Sequence, residues 1–264
     1  MIETIHNIWR KRSVLGYFVN AQLTASYRTK SLGFLWALLD PLLFMAVYYV
    51  VFGKILANRP LEFMLHLFVG VITFRFLNTA SSQGAGILRG QAGLIREIRF
   101  PKMALPIAIV IARLFDLGAG WLTALGLAFV FHQPPTIFWL VLPVVIVTQV
   151  LFVTGFTLLT AYAGLFFADI QNILSVLLRL WFYMSPILYP LDLVVRKTAD
   201  RPHLLRLYML NPMTNLLQGY YAPVMEGKLP PVSSLAYAFG FSLGLVVLGL
   251  YVFSRAEGDI AKYA

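Results

Sequence analysis

Residues 137–168 read IFWLVLPVVIVTQVLFVTGFTLLTAYAGLFFA and contain no charged side chain. A hydrocarbon core of about 30 Å is crossed by roughly 20 apolar residues in an α-helix. Because this stretch is longer than one crossing requires, we expect a helix that is tilted or that projects beyond the lipid. The stretch therefore predicts a membrane-spanning helix.

The composition of the whole chain also indicates an integral membrane protein. Of the 264 residues, 59% are hydrophobic and 12% are charged, whereas soluble proteins carry about 25% charged residues. So few charges cannot cover a water-facing surface, which excludes a soluble enzyme, a disordered chain and, despite the net charge of +10, a nucleic-acid-binding domain. The absence of cysteine excludes disulfides, thiolate metal sites and a cysteine nucleophile.

The sequence predicts one all-α membrane domain over residues 1–264. Residues 1–33 mix apolar and basic residues, which predicts an amphipathic helix on the membrane surface; a frayed basic terminus is the alternative. With both termini in the cytoplasm, eleven of the 21 Lys and Arg residues lie inside and seven outside, in the direction of the positive-inside rule. The six predicted spans are 34–52, 63–80, 104–131, 137–168, 173–189 and 232–253, and a cytoplasmic tail ends the segment 232–264.

The connection between the second and third predicted spans is more than a plain loop. Four glycines, at positions 84, 86, 90 and 93, are expected to loosen the end of the second span, and residues 93–100 then predict a short amphipathic helix that ends at Pro101. Such a helix on the cytoplasmic side suits docking into a groove of a partner protein; a turn lying on lipid headgroups is the alternative. The predicted apolar face contains Leu94, Ile95 and Ile98, and the remaining surface contains Arg96, Glu97 and Arg99.

The segment 190–231 between the fifth and sixth predicted spans is too long for a structureless loop. Pro186 and Pro190 end the fifth span. Asn211 then fits a helix N-cap and Pro212 the first helical position, which predicts a helix over residues 213–221 that is broken by Pro223. The apolar stretches here are too short to cross a bilayer, so they predict re-entrant or interfacial helices on the outer side.

The chain lacks the patterns that catalysis requires. The four histidines are scattered without a second ligand at metal-binding spacing, so no metal site is predicted. No phosphate-binding glycine loop ending in Gly-Lys-Ser/Thr is present, so the chain is not expected to hydrolyse ATP on its own. The predicted spans also lack an acidic pair that could hold a divalent cation. We therefore expect no catalytic residue and no cofactor in this chain.

Charged residues inside the predicted spans are the strongest local signals, because each costs about 2.5–3.5 kcal/mol at the centre of a membrane helix. The spacing of three residues between Arg113 and Asp116 predicts an ion pair on one helix face, although a functional role stays open. Arg75 and Arg179 have no partner nearby in sequence. Two further basic residues precede the first span at headgroup level, where they could meet a lipid phosphate or serve as ordinary anchors: Arg28 and Lys30.

Aromatic residues make up 15% of the chain and recur every four residues in two spans. Rings on one helix face could stack on sugars along a translocation path, and helix packing together with interfacial belts is the alternative. The residues concerned are Phe44, Tyr48 and Phe52 in the first span and Phe152 and Phe156 in the fourth.

The order of several short motifs resembles that of a known family along essentially the whole chain. The motifs are YRTKSLGFLW at residues 27–36, Asp40-Pro41, IREIRFPK at residues 95–102, DIQN at residues 169–172, SPILYP at residues 185–190 and Leu210-Asn211-Pro212. This pattern resembles the permease subunit of type-2 ABC exporters that move O-antigen, teichoic acid or capsular polysaccharide across the bacterial inner membrane.

The resemblance implies a homodimer of permeases that binds two copies of a separate ATP-hydrolysing subunit, which carries ATP and magnesium. It further implies that residues 93–102 are the coupling helix, that the basic N-terminal helix lies where a lipid pyrophosphate gains access, and that residues 185–225 contain outer gate helices. The implied substrate is a polysaccharide linked to undecaprenyl pyrophosphate. An exporter of drugs or lipids with the same architecture is the alternative within transport. A membrane-embedded polyprenyl-phosphate transferase would need acidic metal ligands, which the sequence does not offer, and the predicted coupling helix argues against a passive channel.

Overall fold

The computed structural model describes residues 10–27, 32–55, 59–98, 100–167 and 169–263, with side chains described as far as Arg255. A π-helical segment, Tyr49–Ile55, continues α2, and a 3₁₀ turn, Ile137–Val141, leads into α6. The α-helices are α1 (Arg12–Tyr27), α2 (Leu35–Tyr48), α3 (Phe63–Gly90), α4 (Ala92–Glu97), α5 (Ala104–Val130), α6 (Leu142–Phe166), α7 (Ile170–Tyr183), α8 (Leu191–Lys197), α9 (Pro202–Met209), α10 (Pro212–Met225) and α11 (Val232–Tyr263).

Five helical segments in the described part of the chain are long and apolar enough to cross a membrane. They are Leu35–Ile55, Phe63–Gly90, Ala104–Val130, Ile137–Phe166 and Val232–Arg255, and they coincide with five of the six predicted spans. The remaining one is shorter than predicted: α7 has 14 residues, which at 1.5 Å per residue is about 21 Å. The helix ends at Tyr183, and a turn follows it, because Pro186 disfavours helical geometry in the residue before it. The count of six spans stays a prediction.

Two further helix boundaries differ from the prediction. The glycines after residue 80 do not loosen α3, which continues to Gly90, and two of them, Gly84 and Gly86, are close-packing positions. A Cβ at Gly84 would stand 2.5 Å from the side chain of Thr157 on α6. Pro223 does not break the helix that follows Asn211 but lies inside α10. Residues 12–27 form α1 rather than a frayed terminus, and the position of α1 on a membrane surface stays a prediction.

Helix α3 is the central element of the fold. In its most apolar stretch 72% of the residues are buried, compared with 22% in α2 and its π-helical extension and 17% in α11. The main core contains residues of α3 together with residues of α5, α6, α7 and α10. A second cluster, called the basal cluster below, lies around α4; it contains Phe18, Leu88, Ile95, Phe100, Met103, Ala104, Leu105, Ala108, Leu158, Ala161, Leu165 and Phe253.

Two glycines let α6 approach its neighbours at backbone distance. A Cβ at Gly155 would stand 2.5 Å from the carbonyl carbon of Leu245 and from the amide nitrogen of Val246 on α11. A Cβ at Gly164 would overlap the carbonyl oxygen of Ala85 on α3. Small residues that permit such close approach are typical of helix packing in membranes, so α3, α6 and α11 form the tightly packed body of the protein.

Candidate transport groove

An open groove with a cavity volume of about 440 Å³ lies between α2, α3 and α7. Its walls combine aromatic rings with amide, hydroxyl and guanidinium groups. The ring of Tyr48 lies 5.9 Å from that of Phe44 and 5.8 Å from that of Phe182, measured between centroids. The lining residues are Phe44, Tyr48, Val71, Phe74, Arg75, Asn78, Thr79, Ser175, Leu178, Arg179, Phe182 and Tyr183.

The structure separates the two sets of predicted channel-lining aromatics. Phe44 is half exposed, and it lines the groove with Tyr48. Phe52 extends the row, with its ring 6.3 Å from that of Tyr48, but does not line the groove. Phe152 is fully buried, and the rings of Phe152 and Phe156 pack against Trp181. Phe152 therefore belongs to the helix core in this structure and not to a surface that could line a channel.

Two ion pairs hold charged groups within the spanning helices. The predicted Arg113–Asp116 pair is present at 2.8 Å, and Arg113 also donates a hydrogen bond to the hydroxyl of Ser26 on α1. Arg75 forms an ion pair at 2.7 Å with Asp40 on α2. Sequence reasoning did not find this second pair, because its members are 35 residues apart. The available signal was that the predicted spans contain two acidic residues.

Arg179 differs from these two arginines. It lies on α7, is exposed and lines the groove together with Arg75. Among the described residues, no carboxylate lies within ion-pair distance of its guanidinium. The groove thus carries two cationic side chains on its wall, one of them without an acidic partner in the described part of the chain.

Helix α4 is oriented differently from the prediction. Ile95 is 4% exposed and belongs to the basal cluster, against which Leu94 also packs. The helix ends at Glu97, so Ile98 adopts extended geometry and is 54% exposed. Leu94 and Ile95 therefore anchor α4 to its own chain. The described surface that remains free for a partner contains Arg96, Glu97 and Ile98.

Asn211 fastens the turn after α7 to the start of α10. Its side-chain oxygen accepts hydrogen bonds from Trp181 Nε1 at 2.8 Å and from the backbone amide of Met213 at 3.0 Å. Its amide nitrogen donates to Ser185 Oγ at 3.2 Å. Pro212 occupies the first turn of α10, as predicted. Pro186 is buried beside this network, and Pro190 forms the N-cap of α8.

The same end of the molecule contains a second pocket of about 380 Å³ that the sequence did not predict. The ring of His66 stacks on that of Tyr221 with centroids 3.9 Å apart. Glu226 accepts a hydrogen bond from Lys228 at 2.6 Å, which raises the pKa of Lys228. Outside this pocket, on α9, burial raises the pKa of Tyr208, and a hydrogen bond with the hydroxyl of Tyr189 raises it further.

Three predicted site residues, Arg28, Lys30 and Arg99, lie outside the residues that the structure describes. Within the described ranges, His, Asp and Glu side chains do not form a group of three that could hold a metal ion.

A bundle of long apolar helices with a polar, aromatic groove defines a multi-pass membrane protein. Residues 14–224 match the family model described as ABC-2 type transporter, and the chain belongs to this family. It is 32% identical over 264 residues to the O-antigen export system permease protein RfbA of Myxococcus xanthus, with 99% of each chain covered. It is 25% identical to the protein of the same name from Klebsiella pneumoniae, covering 97% of each chain, and 25% identical to the polysialic acid transport protein KpsM of Escherichia coli, covering 86% of each.

Proposed function

We propose that this chain is the channel-forming permease of an ATP-driven exporter that moves a surface polysaccharide across the bacterial inner membrane. The observation that carries the proposal is the end-to-end similarity to a permease named for O-antigen export. The groove supports it, since half-exposed aromatic rings beside amide and hydroxyl groups offer both stacking surfaces and hydrogen bonds to a sugar chain.

The proposed transporter contains two copies of this chain and two copies of an ATP-binding subunit that holds ATP and magnesium. The absence of a phosphate-binding loop from the sequence supports a separate ATPase. We place α4 on the cytoplasmic side, where exposed Arg96, Glu97 and Ile98 would contact that subunit. Nucleotide-driven closure of the ATPases would then move the attached helices as rigid bodies.

We further propose six spans with both termini in the cytoplasm, in which α7 and the turn that follows it form the fifth span along the chain. In this orientation α8, α9 and α10 lie on the outer side as gate helices. The Asn211 network supports a gate, since it ties the end of α7 to the start of α10. The proposed substrate is a glycan linked to undecaprenyl pyrophosphate, whose headgroup would meet the basic residues Arg28 and Lys30.

Complementation of a deletion strain tests the proposal. The wild-type gene should restore polysaccharide on the cell surface. The double variant Phe44→Ala/Tyr48→Ala should copurify normally with the ATPase but export less polysaccharide, because it removes two rings from the groove. Phe115→Ala is the matched control, because Phe115 is 56% exposed and lies outside the groove.

Surface polysaccharide that persists in the deletion strain would refute the proposed function. Normal export by the double variant would show instead that the groove is not the path of the glycan.

A further inference from the structure

Arg179 lies in the second half of α7, four residues before its end, and its side chain is exposed on the wall of the groove. It is the tenth residue of α7, about 13 Å from the start of that helix at 1.5 Å per residue. Arg75, which lines the same groove, is about 18 Å along α3 by the same measure. A guanidinium on the wall of a groove between apolar helices requires an anion or water beside it, because lipid does not solvate it.

The two cations of the groove are not equivalent. Arg75 is neutralised by Asp40 at 2.7 Å. Arg179 has no carboxylate partner among the residues that the structure describes. The charged residues on the groove wall are these two arginines, and the polar groups beside them are the amide of Asn78 and the hydroxyls of Thr79 and Ser175. The wall therefore carries an uncompensated positive charge next to hydrogen-bonding groups.

The acidic residues of the spanning helices are already paired with other arginines. Of the eleven acidic residues in the sequence, Asp40 and Asp116 lie within the membrane-spanning helices. Asp40 is paired with Arg75 and Asp116 with Arg113. A partner subunit would bring the same two residues in the same ion pairs, so the acidic residues of the spanning helices do not supply an anion for Arg179.

Resting on the proposed function, we propose that Arg179, assisted by Ser175 and Asn78, forms a subsite for an anionic group of the transported molecule. The group is a carboxylate or a phosphate, carried either by the sugars or by the lipid. Guanidinium groups suit both anions because their planar N–H donors match the spacing of the oxygens. The flanking rings of Phe44, Tyr48 and Phe182 would contact the neutral part of the substrate. Arg179 thus selects an acidic substrate.

The test uses the purified permease–ATPase complex in nanodiscs and three probes. These are a fluorescent hexamer of galacturonate, the same hexamer after its carboxyl groups are reduced to alcohols, and inorganic pyrophosphate as a competitor. The two hexamers share length and linkage, so a difference in binding reports the carboxylates. We expect wild type to prefer the acidic hexamer by about 10–100-fold, the range for a charge-assisted hydrogen bond, and added salt to reduce the preference.

Arg179→Gln should abolish this preference and Arg179→Lys should retain part of it. Arg196→Gln, an exposed arginine on α8 outside the groove, is the matched control and should bind as wild type. Copurification with the ATPase verifies that each variant folds.

The arms of the experiment separate the two sources of the anion. A preference for the acidic hexamer that depends on Arg179 assigns the anion to the sugars. Pyrophosphate binding that depends on Arg179, without such a preference, assigns it to the lipid carrier. The inference is overturned if neither probe depends on Arg179. Should polysaccharide export still require the permease gene in that case, the proposed function stands while the anion subsite does not.

Discussion

Gly155→Ala tests the closest approach between two helices of the packed body. The added methyl group would stand 2.5 Å from backbone atoms of Leu245 and Val246, whereas ordinary contacts begin at 3.4 Å. Because both neighbours are backbone atoms, a side-chain rotation cannot relieve the overlap, and α6 and α11 have to separate by about 1 Å. Overpacking costs about 1–3 kcal/mol, and the greater helix propensity of alanine offsets up to about 1 kcal/mol.

A net loss of about 1–2 kcal/mol should lower Tm by about 2–8 °C. The measurement is the fraction of monodisperse protein in detergent after heating, followed by size-exclusion chromatography with fluorescence detection. Gly244→Ala on α11 is the matched control, because no atom lies within 4 Å of its added methyl group, and its Tm should be unchanged or slightly higher. Equal Tm values for the two variants would refute the close approach of α6 and α11.

The remaining predictions concern the ion pair, the docking surface and the gate. Asp40→Asn should lower Tm because it leaves Arg75 unpaired, and Asp40→Asn/Arg75→Gln should recover at least about 0.5 kcal/mol of that loss; strictly additive effects would contradict the pair. Arg96→Glu should reduce the amount of ATPase that copurifies, whereas Arg196→Glu should not, and full retention by the first variant would remove Arg96 from the docking surface. Asn211→Ala should lower the free energy of unfolding by about 2 kcal/mol, because it removes a helix N-cap and the hydrogen bond from Trp181. Asn172→Ala, at an exposed position, is the control, and equal melting curves for the two variants would argue against the network.

The sequence predicts the spanning helices well because the signal for them is local. A run of about 20 apolar residues can satisfy its backbone hydrogen bonds in lipid only as a helix, and five predicted runs coincide with long helices. The Arg113–Asp116 pair and the Asn211 cap are predictable for the same reason. A spacing of three residues places both charges on one helix face, and the N-cap lies two residues from the backbone amide that donates to it.

Features that depend on distant parts of the chain could not be predicted in this way. The Asp40–Arg75 pair joins two helices, and no periodicity links its members. The apolar residues of α4 indicated a face for a partner protein, but Ile95 is buried in the basal cluster of its own chain. Phe44 and Phe152 each have another aromatic residue four positions later, yet Phe152 is buried and Phe44 is half exposed. Periodicity identifies a helix face, whereas the neighbouring helix decides what covers it.

The basal cluster also determines how a displacement of α4 would spread through the protein. It joins α1, α3, α4, α5, α6 and α11, while its described members include no residue of α2 or α7. These two helices instead attach to the central core, through Met45 on one side and through Leu174 and Leu178 on the other. A displacement of α4 would thus move the helices of the basal cluster together, relative to α2 and α7. The groove lies between α3, which belongs to this group of helices, and α2 and α7, which do not, so a small tilt of the group would change the width of the groove.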